Sequence, residues 1–177
     1  MRVFHNVWCA GSACSFYDVA TKCRTRLTHH DGSVATGRIA GHNMSSKFSG
    51  ECSRPFYRQP IHWIDIGNDI GIENVGRIDS NLSIETILLY GNESQSVNNA
   101  EQAILFYKKD GYVVGILLWN IMGRLRVARQ ILYERHLNPN LKELTRRIMN
   151  HDESDFINSK NDDTEESDEA NAASVFK

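Results

Sequence analysis

A His-His-Asp triplet at residues 29–31 opens a stretch of helical apolar spacing, and it is the first place along the chain where side-chain chemistry can be read. The first turn of a helix carries unsatisfied N–H groups and the positive end of the helix dipole, so His29, His30 and Asp31 could meet an anion or the electron-rich edge of a ligand. The same triplet also reads as Asp31 stabilising a helix start beside two solvated imidazoles. A metal site is a third reading, but adjacent residues on a helix diverge by about 100 degrees and no complete ligand set of familiar spacing appears. Trp63, after Pro60-Ile61-His62, could stack on a planar cofactor or be an ordinary core residue, which Trp8 and Trp119 fit better within their apolar runs. Glu73 and Asn120 stand at the ends of apolar segments, where a ligand hydroxyl or amide could reach them. Arg124, Arg126 and Arg129 crowd the start of another predicted helix against its dipole. An anionic partner would relieve that conflict, and a solvated basic face is the alternative.

Particular elements must position these residues. Val3 to Gly11 reads as a short buried strand running into Gly-Ser-Ala-Cys. From His29 to Met44 the spacing of Val34, Ala35, Ile39, Ala40 and Met44 predicts a helix, on which Gly37 and Gly41 are expected to admit a neighbouring backbone. Ser45 to Pro60 holds two of the three prolines and reads as a connection, with a domain boundary expected near Arg58 to Ile61. Beyond it the texture changes to strands at Glu73 to Asp79, Glu85 to Tyr90, Ala103 to Lys108 and Tyr112 to Leu118, and Asp110-Gly111 is a strong hairpin signal. Gly91 to Asn99 is polar and reads as a surface loop. Two helices follow. Leu125, Val127, Ala128, Ile131 and Leu132 make the apolar face of one; in the other Asn138 is expected to cap, Pro139 to open, and Leu141, Leu144 and Ile148 to face the core. Together they would cover one face of an antiparallel sheet.

With 177 residues, 41% of them hydrophobic, the chain can build a real core, which excludes disorder throughout. Its net charge of -2 is unevenly spread: nine acids and two lysines follow His151, which leaves the remainder about five positive. That acidic segment is too polar to offset its ordering entropy and is expected to be disordered. Cys9, Cys14, Cys23 and Cys52 form no C-x-x-C pair and follow no secretory signal, so they read as reduced thiols. The longest apolar run, Tyr112 to Trp119, falls far short of the roughly 20 residues that span a bilayer. Met1 to Gly11 lacks the pattern of a transit peptide, so no targeting peptide is read in this chain.

The order of several motifs resembles one known family. Asn6-Val7-Trp8-Cys9-Ala10-Gly11-Ser12-Ala13-Cys14, Phe16-Tyr17-Asp18, His29-His30-Asp31 and Gly37-Arg38-Ile39-Ala40-Gly41-His42-Asn43-Met44 look like the last FAD-contacting segment of the apoptosis-inducing factor family. Trp63-Ile64-Asp65-Ile66-Gly67, Gly71-Ile72-Glu73-Asn74-Val75-Gly76 and Val113-Val114-Gly115-Ile116-Leu117-Leu118-Trp119-Asn120, with Ala128-Arg129, look like its C-terminal domain. The resemblance covers residues 6–48 and 57–153. It implies an FAD-dependent NADH oxidoreductase of the mitochondrial intermembrane space that can reach the nucleus and has a role in programmed cell death. By position His29 and His30 would approach the flavin, His29 and Thr28 would face the nicotinamide nucleotide, Trp63 would stack near the isoalloxazine, and Glu73 and Asn120 would contact NAD. No side chain is assigned a catalytic proton transfer, since hydride passes between the cofactors themselves.

The expected fold is therefore α+β: an antiparallel β-sheet with two C-terminal helices, as in the C-terminal domain of the flavoprotein reductase fold, preceded by a strand-helix remnant of an FAD-binding Rossmann-like domain. The expected divisions are 1–60, 61–152 and an acidic tail at 153–177. Two departures from the family bear on function. Where the family has an aspartate, Ser12 offers only a neutral hydroxyl to the cofactor, and no G-x-G-x-x-G occurs in these residues. Tight FAD binding by this chain alone is accordingly not expected, and the chain reads as shortened before Met1. The expected partners are a second copy, a complementing flavoprotein half, or DNA through Arg124, Arg126 and Arg129. The alternative functions are a non-catalytic protein- or DNA-interaction module made by the C-terminal domain, and a ligand-free α+β domain.

Overall fold

The computed structural model describes residues 2–18, 23–49, 53–54, 56, 59–90 and 100–150. They fall into two compact units that divide between Pro60 and Ile61. The loop read at 91–99 and the acidic tail lie outside the described residues.

In the first unit, β1 (Arg2–Phe4) pairs antiparallel with β2 (Val7–Trp8), and β3 (Phe16–Asp18) with β4 (Cys23–Thr25). The expected single buried strand over Val3 to Gly11 is thus two short strands, with Val3, Phe4 and Val7 exposed. The physical reason is Asn6, whose left-handed backbone (φ 70°) turns the chain back. Helix α1 (His30–Ser49) follows and buries Ala35, Ile39 and Ala40 along one stripe, whereas Met44, expected on the same spacing, is exposed. A Cβ on Gly37 or Gly41 would meet open space, so neither admits a close neighbour. Gly32 does instead: a Cβ there would lie 2.6 Å from that of Leu27, which folds back onto the helix start.

The second unit is a five-stranded antiparallel sheet in the order β5 (Ile61–Ile66), β6 (Ile70–Gly76), β9 (Tyr112–Trp119), β8 (Ala100–Lys109) and β7 (Ser83–Tyr90). Strand β5 is not apparent from the sequence pattern, because on an edge neither face is buried enough to impose alternation: Trp63 to Ile66 are all exposed. Asp110 and Gly111 both adopt positive φ (51° and 80°), the two-residue turn that the Asp-Gly signal predicts. Helix α2 (Leu125–Glu134) packs on β6 and β9, and α3 (Leu141–Met149) on α2. Val75, Ile104, Phe106, Ile116 and Leu118 from the sheet meet Val127, Ala128, Ile131 and Leu132 from α2 and Leu141, Leu144 and Ile148 from α3. Each such side chain contributes about 1.5–3 kcal/mol by leaving water.

The cap of α3 differs from expectation. Asn140, not Asn138, accepts from the Lys142 N–H (3.1 Å), and Pro139 precedes the helix. Asn138 is committed elsewhere: in a left-handed conformation it donates its N–H to the Gly111 carbonyl (2.8 Å), tying the α2–α3 connection to the β8–β9 turn. The two helices are also clamped by Arg147, which donates to both carboxylate oxygens of Glu134 at 2.7 and 2.8 Å. No helix among the described residues is long and apolar enough to cross a membrane.

Two predictions follow from this packing. Because the core closes within the second unit, residues 61–150 expressed alone should unfold in one cooperative transition, and limited proteolysis of the full chain should leave a core beginning near Trp63. Ile116→Ala should lower the unfolding free energy by about 2–5 kcal/mol, measured by urea titration. The second prediction concerns pH. Hydrogen bonds from Arg147, helped by His136, hold the Glu134 carboxyl down to about 2. Its folded value lies below the unfolded 4.5, so the stabilisation is present above 4.5 and is lost as pH falls toward 2. Both partners are about one-third exposed and screened by solvent, so Arg147→Met should cost about 1 kcal/mol at neutral pH, with the difference from the native chain vanishing toward pH 2.

Candidate functional site

The residues singled out by sequence gather in two places, one in each unit. In the first unit a 3-10 turn at Gly11–Ala13 carries Ser12, and Gly11 takes the left-handed conformation (φ 70°) that starts it. Thr36 of α1 holds this turn: its hydroxyl accepts the Gly11 N–H at 2.9 Å and donates to the Gly32 carbonyl at 2.7 Å. Arg26 donates to the carbonyls of Ser12 (3.3 Å) and Ala13 (2.7 Å), while Arg24 donates to the Ser15 carbonyl (2.6 Å). The Ser12 turn therefore rests on the helix whose first turn carries His30, with Thr28 and His29 just before it. Ser12, Thr28 and His30 are exposed and His29 is half-buried.

In the second unit, antiparallel pairing sets Trp63 directly opposite Glu73 and Asp65 opposite Gly71. Paired residues share a face, and here it is the face on which Val75 meets the helices. Glu73 is 8% exposed, and its carboxylate accepts the backbone N–H groups of Gly123 and Arg124, where α2 begins. The carboxylate thus meets the positive end of the α2 dipole through backbone N–H groups. Trp63, 44% exposed, lies beside it toward the sheet edge. Within the carboxylate, Oε2 is buried and accepts no hydrogen bond from the described residues. A buried acceptor left unmatched costs about 1–3 kcal/mol, the situation of a group that awaits a donor.

Asn120 joins this cluster from the end of β9. Its side-chain carbonyl accepts the Gly71 N–H (2.8 Å), its own N–H donates to the Gly71 carbonyl (2.7 Å), and its side-chain amide donates to the Glu101 carbonyl (3.2 Å). With one amide hydrogen and one lone pair left over, Asn120 first anchors the ends of β6 and β8, and any ligand contact would use the remainder. Sequence reasoning missed two neighbours, Asp65 and Met122. A Cβ added at Gly71 would lie 2.8 Å from Met122 Sδ and 3.6 Å from Asp65 Oδ1, so both side chains border the strand next to Glu73. Asp65 could have been found had β5 been recognised, because the register then places it; nothing local marks Met122. Other arginines of these two helices and their connection are engaged within the fold. Arg146 pairs with Glu143, Arg147 with Glu134, and Arg135 lies over the Tyr112 ring.

Burial pushes the Glu73 carboxyl above its ordinary range, the Gly123 and Arg124 N–H groups pull it partly back, and the Asp65 carboxylate adds to the rise. A raised folded value means that the contribution of Glu73 to stability is complete below 4.5 and is lost as pH rises through the raised value. Glu73→Gln keeps an acceptor for the helix start without the buried charge. It should therefore be more stable than the native chain at neutral pH, and the gap should shrink as pH falls through the raised value and be closed below 4.5, in denaturation curves collected across that range.

Comparison with known proteins agrees with this architecture. Residues 40–103 and 89–134 match the family model described as apoptosis-inducing factor, mitochondrion-associated, C-term. A Drosophila melanogaster protein named as a mitochondrial apoptosis-inducing factor 1 is 28% identical over 80% of this chain, and apoptosis-inducing factor 1, mitochondrial, of Dictyostelium discoideum is 30% identical over 81%. The chain spans about a quarter of the length of these relatives, 24% and 26% respectively. Among solved structures, a chain of the covalent putidaredoxin reductase–putidaredoxin complex superimposes with a TM-score of 0.54 at 17% identity, covering 79% of this chain and 32% of that one, a likeness of fold. The family model, laid over the sheet that carries Trp63 and Glu73, shows that this chain belongs to the apoptosis-inducing factor family and corresponds to its C-terminal part.

Proposed function

We propose that the chain is the C-terminal part of a mitochondrial FAD-dependent NADH oxidoreductase of the apoptosis-inducing factor type, acting in the intermembrane space and in programmed cell death. The observation that carries this reading is the pairing of a half-exposed Trp63 with Glu73, whose buried Oε2 lacks a donor. An indole face and a carboxylate acceptor side by side suit a planar ring with an amide or hydroxyl donor at its edge, the chemistry of a flavin stacked with a nicotinamide nucleotide. These residues fit the ring end of such cofactors. Ser12, Thr28, His29 and His30 join the reading through family resemblance. When bound, FAD supplies acceptance of the hydride, and the chain's own groups would hold the rings and exclude water.

The dinucleotide end has no counterpart here, because the Gly-rich fingerprint that lets backbone approach a pyrophosphate does not occur in these 177 residues. That segment has to come from elsewhere, either from further residues of the same protein or from a second polypeptide. The expected outcome is that the purified chain is colourless and does not oxidise NADH when FAD is added. Mixed with the Gly-rich half of a family member, it should acquire flavin absorbance and NADH oxidation. In that mixture Trp63→Ala should weaken flavin retention about tenfold through lost stacking, and Ser12→Asp should strengthen it through a charge-assisted bond. A chain that purifies yellow with stoichiometric flavin would show that the Gly-rich half is dispensable. Equal flavin retention by native and Trp63→Ala mixtures would remove Trp63 from the site.

A further inference from the structure

Cys9 and Cys14 play no part in the reading above, yet the fold brings them together. They flank the Gly11–Ala13 turn, which is closed by a hydrogen bond from the Cys14 N–H to the Gly11 carbonyl at 2.9 Å. Cys9 packs against the small cluster that encloses Cys14, and neither thiol is in a disulfide. Cys14 is 2% exposed within a small cluster with Phe16 and Leu27, against which Cys9 and Phe56 also pack. Cys9 is half-buried and so retains access to solvent. The turn between them is fixed on α1 by the Gly11–Thr36 bond, which holds the pair in register without any ligand. Two thiols gathered at one cluster across a single tight turn, one reachable and one enclosed, form the arrangement of an attacking and a resolving cysteine.

We propose that Cys9 and Cys14 form a redox couple, a dithiol that a low-molecular-weight disulfide such as glutathione disulfide converts into an intramolecular disulfide across the Gly11–Ala13 turn. The Cys9 thiol loses its proton to solvent and attacks one sulfur of glutathione disulfide. The sulfur–sulfur bond of the oxidant breaks, one glutathione leaves as thiolate and takes up a proton, and the other remains on Cys9 Sγ. Cys14 then loses its proton and attacks Cys9 Sγ, forming the protein disulfide and displacing the second glutathione, which is also protonated. The two protein thiols have given up two electrons and two protons, and glutathione disulfide has received them as two thiols. Order is set by access: Cys9 meets the oxidant, while Cys14 is enclosed and attacks only the sulfur beside it.

The test uses the full chain, treated with glutathione disulfide at neutral pH, acid-quenched, alkylated and digested with trypsin. Arg2 and Lys22 bracket both cysteines with no Lys or Arg between them, so one peptide reports on the pair. That peptide should appear two hydrogens lighter with neither cysteine alkylated, and reduction by dithiothreitol should restore alkylation at both. Cys14→Ser should retain glutathione on Cys9, and Cys9→Ser should leave Cys14 unmodified until the chain is unfolded. If a variant fails to fold, the peptide of the native chain decides alone. Full alkylation of both thiols after oxidation would overturn the proposal. So would a lasting glutathione adduct on the native chain, or a bond from either cysteine to Cys23 or Cys52.

Discussion

The constraint on which the second unit depends is the two-residue turn at Asp110-Gly111. Both residues must hold positive φ, which fixes Lys109 opposite Tyr112 and so sets the pairing of β8 with β9. One irregularity follows, between Tyr107 and Lys108, where Val114 is left without an opposite partner and its carbonyl turns to accept the Arg77 N–H at 2.8 Å. Past that point Phe106 meets Ile116 and Ile104 meets Leu118, and all four are fully buried. A slip of one residue would send every one of them to the opposite face. The same register carries on into β6, where Glu73 lies opposite Leu118, and from there to Trp63. The placement of the candidate site is thus inherited, strand by strand, from a turn at the other end of the sheet.

Glu73 is first of all a piece of the architecture. Its carboxylate satisfies two N–H groups where α2 starts, a place that has no acid of its own in the first helical turn. Supplying that acceptor from the sheet ties helix to strand and draws the carboxylate out of water. The burial that makes it a good anchor also leaves Oε2 without a donor. In a protein interior such an atom is destabilising unless something meets it, and the half-exposed Trp63 stands opposite Glu73 on the neighbouring strand.

What could be read from the sequence was decided by how strongly each residue's environment constrains its type. The Asp-Gly turn, the α2 face of Val127, Ala128, Ile131 and Leu132, and Leu141, Leu144 and Ile148 on α3 were legible because burial on one side imposes a period. Strand β5 was not, since an edge exposed on both faces imposes none. The cap of α3 was misread by two residues because Asn138-Pro139 mimics a helix start while long-range bonding to Gly111 occupies Asn138. Close packing was assigned to Gly37 and Gly41 by residue type alone, whereas contact depends on what lies opposite, and Leu27 lies opposite Gly32. Of the candidate site, Trp63, Glu73 and Asn120 stand out in the sequence as residue types. Their convergence does not, because it is a property of register.

The position of β5 has a consequence for motion. It pairs along one side only, with β6, and its residues from Trp63 to Ile66 bury little apolar surface. Opening it locally forfeits few contacts, so its amide protons should exchange with solvent faster than those of β6 or β9, whose strands are hydrogen-bonded on both sides. Trp63 therefore rides on an edge strand of the sheet, while Glu73 beside it belongs to a strand held on both edges. A ligand spanning the two would join a yielding wall to a fixed one, and part of its binding energy would go into slowing the exchange of β5.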